Sequence, residues 1–192
     1  MSKKELRPWE TISRKTILRH SKFLTVESRA IKLPDGRIIP DWPWLIIPNA
    51  AIVLAVTDDK KFLCFRQTKY AVEGTSLAPV GGMLEPNETP LSAAKRELLE
   101  EMGYKASDWI DLGSYILDPN RGIATMYLFL ALHAKQVAKP NSDDLEDQDL
   151  LFLNQNEIES ALKKGEFKIL AWSAVVAMSL NYLNALENQK LG

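Results

Sequence analysis

The chain has 192 residues, of which 46% are hydrophobic and 26% charged, a globular composition that excludes a disordered tail, a fibre or a coiled coil. Its 24 Lys and Arg stand against 25 Asp and Glu, a formal net charge of -1, so no bulk field draws it to nucleic acid or to an anionic membrane. Phosphate, if it is handled, must be handled locally, by a metal ion or a small cationic pocket. The one cysteine, Cys64, allows no internal disulfide and no Cys-based zinc site, and it fits a reducing compartment.

The first ten residues are charged, without the apolar core of a leader. The apolar stretches Leu45–Val56 and Ala171–Leu183 fall short of the roughly 18–20 residues that span a bilayer. A cytoplasmic protein with no membrane and no nucleic-acid partner is therefore expected.

In chain order, residues 1–10 read as loose and Thr11–Ile39 as short strands. Alternation over Phe23–Ile31 and the turn Leu33-Pro-Asp-Gly-Arg37 predict a hairpin over 23–39, because Pro presets φ and Asp-Gly tolerates positive φ. Pro40–Pro48, with Trp42 and Trp44 among three prolines, reads as irregular or as an edge segment. Ala50–Val56 is a buried strand, Thr57–Lys61 a turn and Phe62–Arg66 its hairpin partner. Residues 71–87, with Gly74, Pro79, Gly81, Gly82 and Pro86, read mainly as loop. Pro90–Met102 is a helix, with Thr89 as N-cap, Pro90 at N1 and Gly103 at C′. Leu91, Ala94, Leu98 and Met102 lie along one side of it. Ile110–Leu117 and Thr125–Leu132 read as strands, Lys135–Asp149 as a polar stretch with an acidic run, and Leu150–Leu153 as a short strand. Helices are expected over Glu157–Lys164 and Ser173–Leu186. Intermixed strands and helices place the chain in the α/β or α+β class with a mixed sheet.

The chemistry concentrates in Gly82–Tyr104. Glu97, Glu100 and Glu101 stand at i, i+3 and i+4, so they share a helix face, where like charges repel unless a cation joins them. A hard divalent ion, Mg²⁺ or Mn²⁺, suits such carboxylates. Gly81 and Gly82 let the backbone approach the ion and offer a carbonyl, and Glu88 and Arg96 are spaced to pair. Read alone, the glutamates are also compatible with a solvated helix face.

The full spacing, Gly82, Glu88, Arg96-Glu97-Leu98, Glu100-Glu101 and Gly103-Tyr104, resembles the Nudix box at every fixed position. The resemblance implies an α/β/α sandwich around a mixed sheet and hydrolysis of a nucleoside diphosphate linked to a further group. It implies Mg²⁺ held by Glu97, Glu100, Glu101 and the Gly81 carbonyl, with Gly82, Glu88, Arg96 and Gly103 structural.

Three features resemble the ADP-ribose pyrophosphatase branch. They are Pro119, sixteen residues after Gly103, the stretch Arg66-Gln-Thr-Lys-Tyr70, and the N-terminal Leu-Pro-Asp-Gly hairpin. The branch implies that residues 1–48 form a strand extension that builds a homodimer and covers the substrate, with residues 49–192 as the hydrolase domain. Ala78-Pro-Val-Gly-Gly82 departs from the branch's Glu-Leu-Pro-Ala-Gly, so GDP-mannose, another ADP-sugar and an oxidised nucleotide stay open as substrates. A non-catalytic nucleotide sensor is the rival class, but such modules commonly lose a metal glutamate, and all three are present. Trp42 and Trp44 are candidates to stack a base or to pack an interface or the core. Arg66, Arg121, Arg29 and Arg37 are candidates for phosphate, with surface ion pairing as the alternative. The branch implies a general base on the late acidic loop, for which Glu146, by its place before the Leu150–Leu153 strand, is the first candidate and Asp144 the second, with a box glutamate such as Glu100 or Glu101 as the alternative. His20, His133 and Cys64 read as structural. The expected activity is Mg²⁺-dependent hydrolysis of ADP-ribose to AMP and ribose 5-phosphate.

Overall fold

A computed structural model describes residues 6–141 and 147–190. The chain divides into two compact units. One holds the residues up to Pro48 together with Ile116–Thr125, and the other holds Asn49–Tyr115 and the residues from Met126 onward.

The first unit is an antiparallel sheet in the order β1 (Glu10–His20), β2 (Leu24–Lys32), β3 (Ile38–Ile46). The β2–β3 turn forms as the sequence predicts. Gly36, at φ 88°, donates to the Leu33 carbonyl at 2.9 Å, and Leu33 donates to the Arg37 carbonyl at 2.8 Å. Residues 40–46 are an edge strand rather than irregular. Pro43 is opposite Ser28 in the register, and an edge tolerates proline because one row of N–H groups has no ladder partner to lose. β1 is one continuous strand of 11 residues, every one exposed, where the sequence suggested shorter pieces.

The second unit is built on β4 (Ala50–Thr57), whose residues Ala51–Val56 are all buried. One edge of β4 runs parallel to β10 (Ile123–Gln136). The other edge is shared between two antiparallel partners: β7 (Val80–Met83) takes Ala50–Val53, and β5 (Phe62–Lys69) takes Ala55 and Val56. β6 (Val72–Ala78) and β11 (Gln148–Leu153) flank β5, β8 (Tyr104–Lys105) pairs with β10, and β9 (Asp108–Asp118) also pairs with β10. The stretch 71–87 is thus mostly strand, contrary to its glycines and prolines. Pro79 falls between β6 and β7, where its missing N–H breaks no ladder bond. Gly81 and Gly82 sit inside β7 because the space is needed. A Cβ at Gly81 would overlap the Ala51 carbonyl, and one at Gly82 the Glu97 carboxylate.

Helix α1 (Pro90–Met102) has the predicted ends. Thr89 Oγ1 accepts from Ser92 N–H at 3.2 Å, and Gly103, at φ 76°, donates to the carbonyls of Leu98 and Leu99. It buries Ala93, Ala94, Glu97, Leu98 and Met102 and packs on β4 and β7. Leu91, expected on that side, is exposed. Helix α2 (Gln155–Lys163) starts earlier than predicted because Asn154 and Glu157 close a capping box. Helix α3 (Leu170–Lys190) packs on β4. Together these elements form an α/β/α sandwich around a mixed sheet. Among the described residues no helix is long and apolar enough to cross a membrane.

Ser179 of α3 is fully buried, and its hydroxyl has no hydrogen-bond partner among the described residues. Burying an unpaired hydroxyl costs about 1–3 kcal/mol. Ser179→Ala is therefore expected to raise stability by about 1 kcal/mol, read as a higher midpoint in urea denaturation at unchanged slope.

Candidate active site

The site is organised around one guanidinium. Arg96 Nε and Nη2 donate to the two oxygens of Glu88 at 3.0 and 2.9 Å. Its Nη1 donates to Glu97 Oε1 at 2.8 Å and Glu100 Oε2 at 3.1 Å. Nη2 also reaches the Met83 carbonyl at 3.1 Å, and Glu88 accepts from the Glu85 N–H at 3.0 Å. The loop between β7 and α1 is therefore tied to the helix through both its carbonyl and its carboxylate. The predicted Glu88–Arg96 pair is one part of this larger cluster.

The electrostatics follow from the packing. Arg96 and a backbone N–H hold the Glu88 carboxyl below the usual glutamate range, and the carboxylates in turn hold the guanidinium more firmly protonated. Glu97 is only 8% exposed. Burial pushes its carboxyl up, against the lowering effects of Arg96 and of a hydrogen bond with Glu101. Helix α1 carries Glu97, Glu100 and Glu101 on one turn, as their spacing requires, with Gly82 leaving the volume that the Glu97 carboxylate fills.

Among the described residues no three His, Cys, Asp or Glu side chains are gathered about one point at metal-ligand spacing; Arg96 takes Glu97 and Glu100 instead. The donor set nonetheless fits a hard divalent cation. It consists of carboxylate oxygens, one of them buried and poorly solvated, beside a glycine strand whose missing side chain at Gly82 lets the Glu97 carboxylate approach the backbone. The C-terminal turn of α1 is braced from outside: Gly103 O accepts from Val137 and Ala138, and Glu100 O accepts from Asn141 at 2.8 Å. Asp144 and Glu146, the candidate bases, lie outside the described residues.

The candidate phosphate arginines are each engaged by an acid. Arg29, buried, pairs with Glu27 at 2.7 Å and lies 3.9 Å over the Trp44 ring. Arg37 pairs with Asp35 at 2.7 Å, Arg121 with Asp118 at 2.6 Å, and Arg66 with Glu166 at 2.8 Å. Trp42 donates from Nε1 to the Asn120 carbonyl at 2.6 Å and meets Trp9 edge-on at 5.4 Å. A Cβ at Gly122 would overlap the Trp44 ring, so both tryptophans pack within the first unit. They still border a cavity of about 310 Å³, shared with Trp9, Arg29, Pro119 and Asn120. Trp9 was not singled out from the sequence, because only the β1–β2–β3 register brings it near Trp42. His133 bonds Asp58 at 2.7 Å, and Cys64 is a buried thiol pushed up to about 12 by burial. Both fit their structural reading.

A model of the NUDIX domain family matches residues 47–173, a span that runs from before β4 into α3 and contains the whole carboxylate cluster. The chain belongs to the Nudix family. It is a hydrolase that acts on a phosphoanhydride. An ADP-ribose pyrophosphatase of Bacillus subtilis (strain 168) is 28% identical over 184 residues, covering 94% of this chain and 97% of the relative. A methanol dehydrogenase activator of Bacillus methanolicus is 27% identical over 143 residues, covering 74% and 76%. The solved structure of an ADP compounds hydrolase superposes with a TM-score of 0.81 at 20% identity, covering 95% of this chain and 98% of that one. The fold is therefore that of a Nudix hydrolase.

The Glu88–Arg96 pair has a pH signature. Because Glu88 ionises more readily in the folded state, its contribution is present above the unfolded glutamate value of about 4.3 and is lost as pH falls through the lower folded value. Glu88→Gln is expected to lower stability by about 1–3 kcal/mol at pH 7. The gap to the unmodified chain should narrow when urea melts are repeated toward pH 3.

Proposed function

We propose that this Nudix hydrolase cleaves ADP-ribose to AMP and ribose 5-phosphate with Mg²⁺, Mn²⁺ substituting. The observation that carries the reading is the intact acidic helix face, Glu97, Glu100 and Glu101 on one turn of α1, with Glu97 packed against Gly82. Likeness over nearly the whole chain to an ADP-ribose pyrophosphatase supports the substrate.

In this reading Glu97, Glu100, Glu101 and the Gly81 carbonyl hold the cation. Bound there, a divalent cation supplies charge neutralisation for the diphosphate and acidifies a water. A water oxygen bonds to one phosphorus, the bridging P–O bond breaks, and two monophosphates leave. The proton of the attacking water goes to a carboxylate, Glu146 or one of Glu100 and Glu101. Arg96 and Glu88 keep the helix and its loop in place, Gly82 leaves room for Glu97, and Gly103 ends the helix. Trp42 and Trp44 are proposed to bind the nucleobase, and Arg121 to lie near it. Residues 49–192 carry the reaction, and residues 1–48 are an extension for substrate cover and dimerisation. A single buried thiol in place of disulfides supports a cytoplasmic setting.

AMP release from ADP-ribose, run beside GDP-mannose, ADP-glucose and 8-oxo-dGTP, tests this. Strong Mg²⁺-dependent turnover of ADP-ribose is expected, lost with chelator and reduced about 100-fold or more in Glu101→Gln. Turnover of another substrate alone would keep the chemistry and move the specificity, as the altered Ala78–Gly81 segment permits. Binding without cleavage would indicate a sensor.

The dimer reading rests on β1, an edge strand whose Ile12, Ile17 and Leu18 are 52%, 64% and 49% exposed. Long apolar edges are seldom left unpaired. Sedimentation equilibrium is expected to give twice the chain mass, falling to a monomer in Ile17→Lys. A monomeric unmodified chain would end the idea.

A further inference from the structure

Arg66 is a candidate phosphate contact by sequence, yet its surroundings assign it other work. Along β5, Arg66 shares a strand face with Cys64 and Phe62, and Phe62 borders a pocket with Leu183 and Leu186 of α3. Arg66 itself borders a separate pocket of about 390 Å³ with Leu153, Asn156, Ser160 and Glu166, which includes no box residue. Its Nη2 is held by Glu166 at 2.8 Å, and both side chains are only about a third exposed, 36% and 33%. A phosphate at Arg66 would have to approach beside two acids, Glu166 and Glu157, in the same pocket.

Glu166 belongs to the connector between α2 and α3, and that connector is bonded along β6. The Glu166 carbonyl accepts from Leu77 N–H at 2.9 Å. Ser76, 1% exposed, lies with its hydroxyl 3.0 Å from that same carbonyl and 2.8 Å from the Leu77 carbonyl, so one proton serves two acceptors. Ser76 Oγ accepts in turn from Lys168 N–H at 3.0 Å, and Lys168 Nζ donates to the Glu73 carbonyl at 2.6 Å. β6 is thus pinned at both ends, and through Pro79 it leads directly into β7, which lays Gly81 against Ile52 and Gly82 against Ala51.

We propose that Arg66, Glu166 and Ser76 form a latch that fixes β6 and so sets the position of the Gly81–Gly82 strand. Arg66 is then a positioning residue, not a phosphate ligand. This rests on the reading of the site as the diphosphate-hydrolysing centre. The latch closes contacts across separations of 90–100 residues. A side chain on the α2 and α3 side of the sheet thereby acts on a strand whose Gly82 faces the Glu97 carboxylate of α1.

The test uses the full chain as Arg66→Met, Glu166→Gln and the double variant, read by amide hydrogen exchange and by steady-state kinetics on ADP-ribose. Exchange at Leu77, Gly81 and Gly82 is expected to quicken about tenfold in each single variant, and no further in the double variant. The kinetic expectation is a fall in kcat of about three- to tenfold with KM within about twofold, equal in all three, and partial rescue by Arg66→Lys. A rise of about tenfold or more in KM for Arg66→Met, with Glu166→Gln unaffected, would make Arg66 a phosphate ligand and overturn the latch. Unchanged exchange at Gly81 and Gly82 would overturn it too. If Arg66→Met does not fold, Glu166→Gln carries the same readouts. If the unmodified chain turns over no nucleotide, the functional reading fails while the exchange pattern still decides the latch.

Discussion

Three glutamates on one turn of a helix repel one another, and the site depends on what offsets that repulsion. In the structure Arg96 does so, bonding Glu88, Glu97 and Glu100 together with the Met83 carbonyl. Its charge lets a buried glutamate persist beside two others, and its planar fork reaches carboxylates on a loop and on a helix at once. The loop between β7 and α1 is held as well by the Leu84 N–H, which donates to the Asn49 carbonyl at 2.9 Å. The same contacts that keep the acids together also tie the end of the glycine strand to the helix.

That arrangement requires β4 to share one edge. β5 pairs with the end of β4 and β7 with its beginning, so a short strand with two glycines is laid flat against the most buried strand of the sheet. Glycine is needed there for space. A side chain at 81 would meet the backbone of β4, and one at 82 would meet the Glu97 carboxylate. The close approach of strand to helix gives the acidic face a backbone wall on one side. The bracing of Glu100 and Gly103 by residues 137–141 holds the other end of the helix.

Outside the carboxylate cluster, charge is mostly spent locally. Arg29, Arg37, Arg66 and Arg121 each hold a nearby acid, and Arg29 is sealed further by stacking on Trp44. These pairs differ in consequence. An exposed pair such as Arg37–Asp35 contributes little to stability. A pair that joins segments distant in sequence, such as Arg66–Glu166, constrains where whole strands lie.

Much of this was legible in the residues alone. The caps of α1, the 3.6-residue spacing that collects Glu97, Glu100 and Glu101, the Glu88–Arg96 pair and the Leu33–Arg37 turn are all local. Each is decided by backbone sterics and by neighbours within about eight residues along the chain, so sequence by itself determined them, and the Nudix spacing with them. Tertiary structure decided the rest. Glycines and prolines between 71 and 83 read as loop until β5 and β4 offer edges to pair with. Trp9 joins Trp42 only through strand register. Arg66 meets Glu166 only because α2 returns the chain to β6. Contacts that span 90–100 residues leave no periodic trace in the sequence, since their partners are selected by packing of the folded chain and not by spacing along it.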